Sequence, residues 1–313
     1  MEPNKMRVAH FFAGGCGGIL ASEILGHESV LAVEIDKRRC KILEQRKSEG
    51  WFPSLKVECC DIRKFNAEPW TGRVDCIAAG FPCQDISSAG SGAGIHGKRS
   101  GLIFDLFDKA IDIIQPSIIF LENVPAIRTR GRDIVIRELV ARRYSWRDGT
   151  LAASHVGAVH RRNRWWCLAA NDKGKRLLEQ EQAYFTASFA DTMCMRQQTQ
   201  RRKKINATTK KATYKHSDIH TANDKIRWNQ FVDRLKNEVG RGSLSERDAK
   251  TIAATALFTG NIEWLLCNAS VCRMDDGLAD RVDRIATCGD GQVPLQAAVA
   301  WILLGWHFGG ITQ

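Results

Sequence analysis

A short, largely apolar run from Val74 to Ala79, interrupted only by Asp75, is followed at once by Gly80-Phe81-Pro82-Cys83-Gln84. An apolar stretch of this length, closed by Gly and Pro, reads as a strand buried on both faces, the kind found in parallel sheets. Four more stretches read as strands: Arg7 to Phe12, Val30 to Ile35, Lys56 to Cys60 and the apolar Ser117 to Leu121. Helical patterns fall between them, through Ile24 after the first run and from Leu102 to Ile114 after the fourth. Strands alternating with helices predict an α/β fold with a doubly wound, mostly parallel sheet. Open sheets of this type bind ligands beyond the carboxyl ends of their strands. Each run ends in a residue with chemistry to offer: Gly14, Glu34, Asp61, Cys83 and Glu122.

The first turn, Ala13-Gly14-Gly15-Cys16-Gly17-Gly18, is glycine-rich, and Glu34 follows about 20 positions later. Glycines let a cofactor approach the backbone, and a carboxylate at the next strand end can accept from ribose hydroxyls. This order favours a nucleoside-type cofactor. Asp61 can cap the turn beyond it or accept from an adenine amino group. Cys83 places a thiol at a strand end, and Asp85 to Gly101 brings five glycines and four serines, the composition of a surface loop. Glu122 stands at a strand-to-loop junction, either solvated or partly desolvated and available as an acid. Further on, His160-Arg161-Arg162-Asn163-Arg164 runs into Trp165-Trp166, and alternation would place Arg162, Arg164 and Trp166 on one face of an entering strand.

Residues 171 to 271 differ in character, being polar, proline-free and basic, with 18 Lys/Arg against 11 Asp/Glu out of a whole-chain net charge of +11. Arg196 to Lys215 holds eight cations and no acid, which suits either a solvated loop or phosphate contact. The 11 cysteines lack paired CxxC spacing, which argues against zinc ribbons and a disulfide scaffold, and no metal is expected. No run reaches the roughly 18 apolar residues of a membrane span. The expectation is a soluble, cytoplasmic protein. After a Gly289-Asp290-Gly291-Gln292-Val293-Pro294 turn, Leu295 to Leu304 forms an amphipathic closing helix.

Taken in order, these stations resemble the DNA cytosine-5 methyltransferase family in its compact bacterial or phage form, over nearly the whole chain. Phe12 to Gly17 is similar to the cofactor turn F-x-G-x-G-G, with Cys16 in place of a glycine. Gly80 to Gln84 with Ser87 resembles G-F-P-C-Q-x-x-S, and Glu122-Asn123-Val124 matches E-N-V. The Gln-x-Arg-x-Arg motif reads His160 to Arg164, and G-N-A-V reads Gly289 to Gln292, with Asp290 where the family has a neutral amide.

The resemblance implies an S-adenosylmethionine-dependent, Rossmann-like domain of residues 1–170 plus 272–313, with an inserted target-recognition domain at 171–271. It implies a covalent nucleophile at Cys83 assisted by Glu122, Arg164, Arg162, Asn123 and Gln84. S-adenosyl-L-methionine would be held by Phe12, Gly14, Gly15, Cys16, Gly17, Glu34, Ile35, Asp61, Ile62, Pro82, Leu102, Asp290 and Gly291. Contacts to double-stranded DNA are expected from Ser87, Arg201, Arg202, Lys203 and Lys204. The expected reaction is methylation of carbon 5 of a flipped-out cytosine, in a bacterial or phage-infected cell, by a monomer. A restriction endonuclease partner would be a separate chain. The same chemistry on an RNA cytosine, and an inactive DNA-binding relative, are the alternatives. A nicotinamide-dependent dehydrogenase is disfavoured, because G-x-G-x-x-G is missing and Pro-Cys-Gln would be unexplained.

Overall fold

The computed structural model describes residues 5–82, 95, 101–156, 161–183 and 292–305. Among these residues seven strands form one sheet: β1 (Arg7–Phe11), β2 (Glu28–Glu34), β3 (Lys56–Cys59), β4 (Cys76–Gly80), β5 (Ile118–Asn123), β6 (Ser145–Ala152) and β7 (Asn163–Ala170). Their order is β3-β2-β1-β4-β5-β7-β6. The first five are parallel, β7 runs antiparallel to β5, and β6 runs antiparallel to β7. Strand order reverses between β1 and β4, so a crevice opens there at the carboxyl ends. The doubly wound sheet expected from the sequence is the one observed.

Helices cover both faces. On one side lie α1 (Gly17–Ile24), α2 (Lys37–Ser48), a helix at 172–183 (α6) and α7 (Pro294–Gly305). On the other lie α3 (Leu102–Leu106), which continues through a π-turn at Phe107–Ile111 into Asp112–Ile114, then α4 (Ile127–Arg130) and α5 (Arg132–Ala141). Alternation along the strands divides the core. Phe11, Val33, Ile77, Leu121 and Trp165 pack with α3 and α5, while Val8, Cys76, Phe120, Trp166 and Leu168 pack with α1, α6 and α7. On that second face Phe120 stacks on Trp166 at 5.3 Å and meets Trp301 edge-on at 5.3 Å.

The helix that follows β7 packs onto the same sheet, beyond residue 170. In α6, Gly174 lies so close to Ser117 that a Cβ would fall 2.1 Å from its carbonyl oxygen. Leu178 is buried, and Glu181 accepts from His27 at 2.5 Å and from Trp301 Nε1 at 2.9 Å. The change in composition after Asn171 hides this helix, because only one narrow stripe of it is apolar. The rest of the 171–271 segment lies outside the described residues, as do residues 306–313.

Candidate active site

β1 leads into the glycine turn with the backbone of Phe12, Gly14 and Cys16 at positive φ (53°, 60° and 71°). The turn is tied to β2 by Ala13 N–H, which donates to the Val33 carbonyl at 3.2 Å. Glu34, at the end of β2, is buried and accepts three backbone amides. Gly14 N–H reaches Oε2 at 2.7 Å, while Ile35 and Asp36 reach Oε1 at 3.0 and 2.9 Å. A carboxylate has about four acceptor positions, so one is left for a donor from outside. Next to it Ile35 is 64% exposed, a large apolar side chain turned out at the rim of a cleft.

That cleft has a volume of about 610 Å³. Of the expected cofactor residues, Phe12, Gly14, Glu34 and Ile35 line one end, with Asp61 and Ile62, while Pro82 and Leu102 line its middle. Gly15, Cys16 and Gly17 do not line it. Cys16 packs against the small core of Ile19, Leu43 and Phe52 beneath the turn. It stands as the N-cap of α1 in a left-handed conformation, which glycine adopts at no steric cost. Asp61 forms the cap allowed for it: it accepts Arg63 N–H at 3.0 Å and takes the Arg63 guanidinium on both oxygens. The Arg63 pairing, helped by the backbone bond, holds its carboxyl down at about 2. Asp290 and Gly291 lie outside the described residues.

At the other end of the same cleft stand Glu122, Asn123 and Arg164. β5 pairs Glu122 with Gly80 of β4 and with Trp166 of β7. Arg164, two residues from Trp166 on the same face, meets Glu122 diagonally across the antiparallel pair, Nε to Oε1 at 2.9 Å. Arg164 also donates from Nη1 to the Asn163 carbonyl at 2.8 Å, so its guanidinium is held at two points. Burial pushes the Glu122 carboxyl up from its ordinary range. The charges of Arg164 and Arg162 pull the other way, as do hydrogen bonds from Gln292 and Arg164. Arg162 precedes β7 with φ 21°, so strand alternation covers only Arg164 and Trp166 of the expected three.

Gly80 makes room for the Glu122 carboxyl. It lies within β4 without a positive φ, and a Cβ there would fall 2.9 Å from Glu122 Oε2. The missing side chain is what gives the carboxyl its place. Asn123 Nδ2 donates to the Phe81 carbonyl at 3.1 Å, and its Oδ1 accepts Val124 N–H at 2.8 Å, which fixes the exit of β4 at Phe81-Pro82. Cys83, Gln84, Ser87 and His160, and Arg201, Arg202, Lys203 and Lys204, lie outside the described residues.

Two cleft residues were not singled out in sequence. His10, on β1, is buried beneath the turn and hydrogen-bonds Ser29 Oγ at 3.1 Å. A polar residue inside an apolar strand is the signal that marks it. Gln292, quoted only as the end of the Gly289 to Gln292 motif, gives no such signal, since its neighbours in the cleft lie far earlier in the sequence.

The grouping suits a nucleoside. Glu34 keeps an acceptor position for a ribose hydroxyl, Ile35 offers an apolar face to a base, and the Gly14 backbone leaves room beside it. Among the described residues no cluster of His, Cys, Asp or Glu could hold a metal, and no helix is long and apolar enough to cross a membrane.

Residues 6–262 match the family model "C-5 cytosine-specific DNA methylase". The chain is similar to type II methyltransferase M.CviJI of Paramecium bursaria Chlorella virus IL3A, 33% identical over 53% of this chain and 43% of that protein. It is also similar to type II methyltransferase M2.BsuMI of Bacillus subtilis (strain 168), 34% identical over 53% of this chain and 42% of that one. The chain thus spans less than half the length of these relatives. Among solved structures, the S. pombe Dnmt2 methyltransferase matches at a TM-score of 0.44 and 20% identity, over 54% of this chain and 51% of that one.

Proposed function

Since the chain belongs to the C-5 cytosine-specific DNA methylase family, we propose that it methylates carbon 5 of cytosine in double-stranded DNA. The observation that carries this reading is the single cleft in which a braced acid, Glu122, shares space with the nucleoside-fitting residues Glu34 and Ile35. S-adenosylmethionine bound there supplies an electrophilic methyl group.

Carbon 5 of cytosine is a poor nucleophile, because attack on a methyl group costs the ring its conjugation. Cys83, beyond Pro82, adds as a thiolate to carbon 6 and turns the ring into an enamine whose carbon 5 is nucleophilic. Glu122 gives ring nitrogen 3 a proton, so negative charge does not build up in the adduct. Its raised pKa serves that step, since a carboxyl must hold a proton to donate it. Arg164 keeps the carboxyl in place and leaves guanidinium N–H groups for the base carbonyl. Asn123 holds the Phe81 carbonyl and with it the approach to Cys83. After methyl transfer the carbon-5 proton leaves to water, and Cys83 is expelled.

The target base must first leave the helical stack, at a cost of a few kcal/mol. Gln84 and Ser87, which follow Cys83 in sequence, would contact the extruded base and its strand. The basic segment that follows α6, up to about 271, would hold phosphates and read base edges. The protein acts as a monomer in this reading. An oligonucleotide carrying 5-fluorocytosine tests the chemistry, because fluorine cannot leave as a cation and the adduct is trapped. Mass spectrometry should find the adduct on Cys83, and Cys83→Ser should lower turnover by at least about a thousandfold. An adduct on another cysteine, or turnover by the serine variant, would refute it. Bisulfite sequencing of DNA from expressing cells should show methylcytosine at one recurring site.

A further inference from the structure

The segment before α7 reaches back into the cleft through one side chain. The backbone of Gln292 lies directly on the start of α1: a Cβ on Gly17 would fall 2.1 Å from the Gln292 carbonyl oxygen. Its side chain then runs across the cleft floor. Oε1 lies 2.7 Å from where a Gly18 Cβ would stand, and Nε2 lies 3.0 Å from where a Gly80 Cβ would stand. That same Gly80 position is 2.9 Å from Glu122 Oε2, so the amide nitrogen and the carboxyl converge on one small space kept open by glycine. The Gln292 amide donates a hydrogen bond to Glu122 there.

The orientation of the amide agrees with both neighbours. Its oxygen faces the first turn of α1, where backbone N–H groups lack helical partners and the helix dipole is positive. Its nitrogen faces a carboxyl that needs donors. Glu122 is thereby held twice, by Arg164 Nε on Oε1 and by the Gln292 amide near Oε2. Two donors fix the plane of a carboxyl where one would leave it free to rotate.

We propose that Gln292 is a positioning residue that sets the plane of the Glu122 carboxyl and ties it to the glycine turn through Gly17 and Gly18. The inference rests on the function proposed above, in which Glu122 donates a proton to the target base. Among the described residues, the charged groups acting on Glu122 are Arg164 on β7 and Arg162 before it, with Gly80 its partner on β4 and Gln292 on the α7 side.

A donated hydrogen bond favours the ionised carboxylate. Its loss leaves Glu122 protonated to higher pH. Q292M keeps the length of the side chain and removes the donor; Q292E puts a second carboxyl beside the first. In pH profiles of kcat, the alkaline limb should move upward in Q292M and further in Q292E. For Q292M, kcat near neutral pH should fall about tenfold, while the dissociation constant for S-adenosylmethionine stays within about twofold of wild type. An unmoved limb in both folded variants, or weakened cofactor binding with the limb unchanged, would overturn the role.

Carbon-13 NMR of protein labelled at glutamate Cδ, with Glu122 assigned by its absence in E122Q, reads the same titration without turnover. If E122Q were as active as wild type, the proposed function would fail. The NMR titration would still decide whether Gln292 holds Glu122, by showing its midpoint raised or unchanged in Q292M.

Discussion

His10 carries no formal charge and yet controls how the folded protein responds to acid. Burial, and then the field of His27, push its imidazole down to about 3. It packs under the glycine turn with Ser29 and Ser22 as hydrogen-bonding neighbours. Between pH 6.5 and 3 the unfolded chain binds a proton here that the folded chain does not. Stability therefore rises with pH through that window and is lost as pH falls through it. The whole shift corresponds to about 4–5 kcal/mol, of which about 3 kcal/mol is gone by pH 4. Glu122 has the opposite sign, because its raised carboxyl holds a proton in the folded state and costs stability as pH rises. His10→Gln should remove most of the acid-side slope. Urea unfolding at pH 4 and pH 7 should show wild type losing about 3 kcal/mol more than the variant; equal losses would mean that His10 is protonated in the folded protein.

At the scale of elements, α1 and the segment before α7 form one joint. Gly17 is needed because the Gln292 carbonyl occupies the place of its side chain. Gly17→Ala should force the two apart, at a cost of about 1–3 kcal/mol, and Glu122 should lose the Gln292 hydrogen bond with it. Gly149→Ala, in β6 with nothing within 4 Å of its would-be Cβ, should stay within about 0.5 kcal/mol. Thermal melts of the pair check both, and equal effects would deny the tight joint. The strands that build this site were legible in sequence because β1, β2, β4 and β5 are largely buried on both faces and read as mostly apolar stretches. The closing helix was legible from its apolar content. β6 was not: as an edge strand with one neighbour it reads Ser-Trp-Arg-Asp-Gly-Thr, without an apolar run. Helix α2, with two buried residues among twelve, carries too narrow a stripe to be noticed. Glu34, Glu122 and Arg164 could be read from motif order. The diagonal between Arg164 and Glu122 and the reach of Gln292 depend on strand pairing and on a crossing between distant segments, which no local pattern encodes.

For the whole molecule, the decisive quantity is where the charge lies. Of the net +11, the segment 171–271 holds +7, and Arg201, Arg202, Lys203 and Lys204 are its densest group. If each neutralises one phosphate, DNA binding releases a counterion at each, and log K falls against log salt by about 0.9 per contact. Replacing all four by Gln should therefore flatten the salt slope by about 3 to 4 units. Affinity should fall for every DNA sequence alike, since phosphate contacts set position without reading bases. The methylated site should stay the same, and kcat at saturating DNA should change little, because none of these residues belongs to the motifs that carry the chemistry. Filter binding across a salt series, with bisulfite mapping of the product, measures all three. An unchanged slope would make the run a solvated loop and move the polyanion contact elsewhere on the protein. A flattened slope with a changed target site would make these residues readers of bases, and the division between holding the duplex and reading it would have to be redrawn.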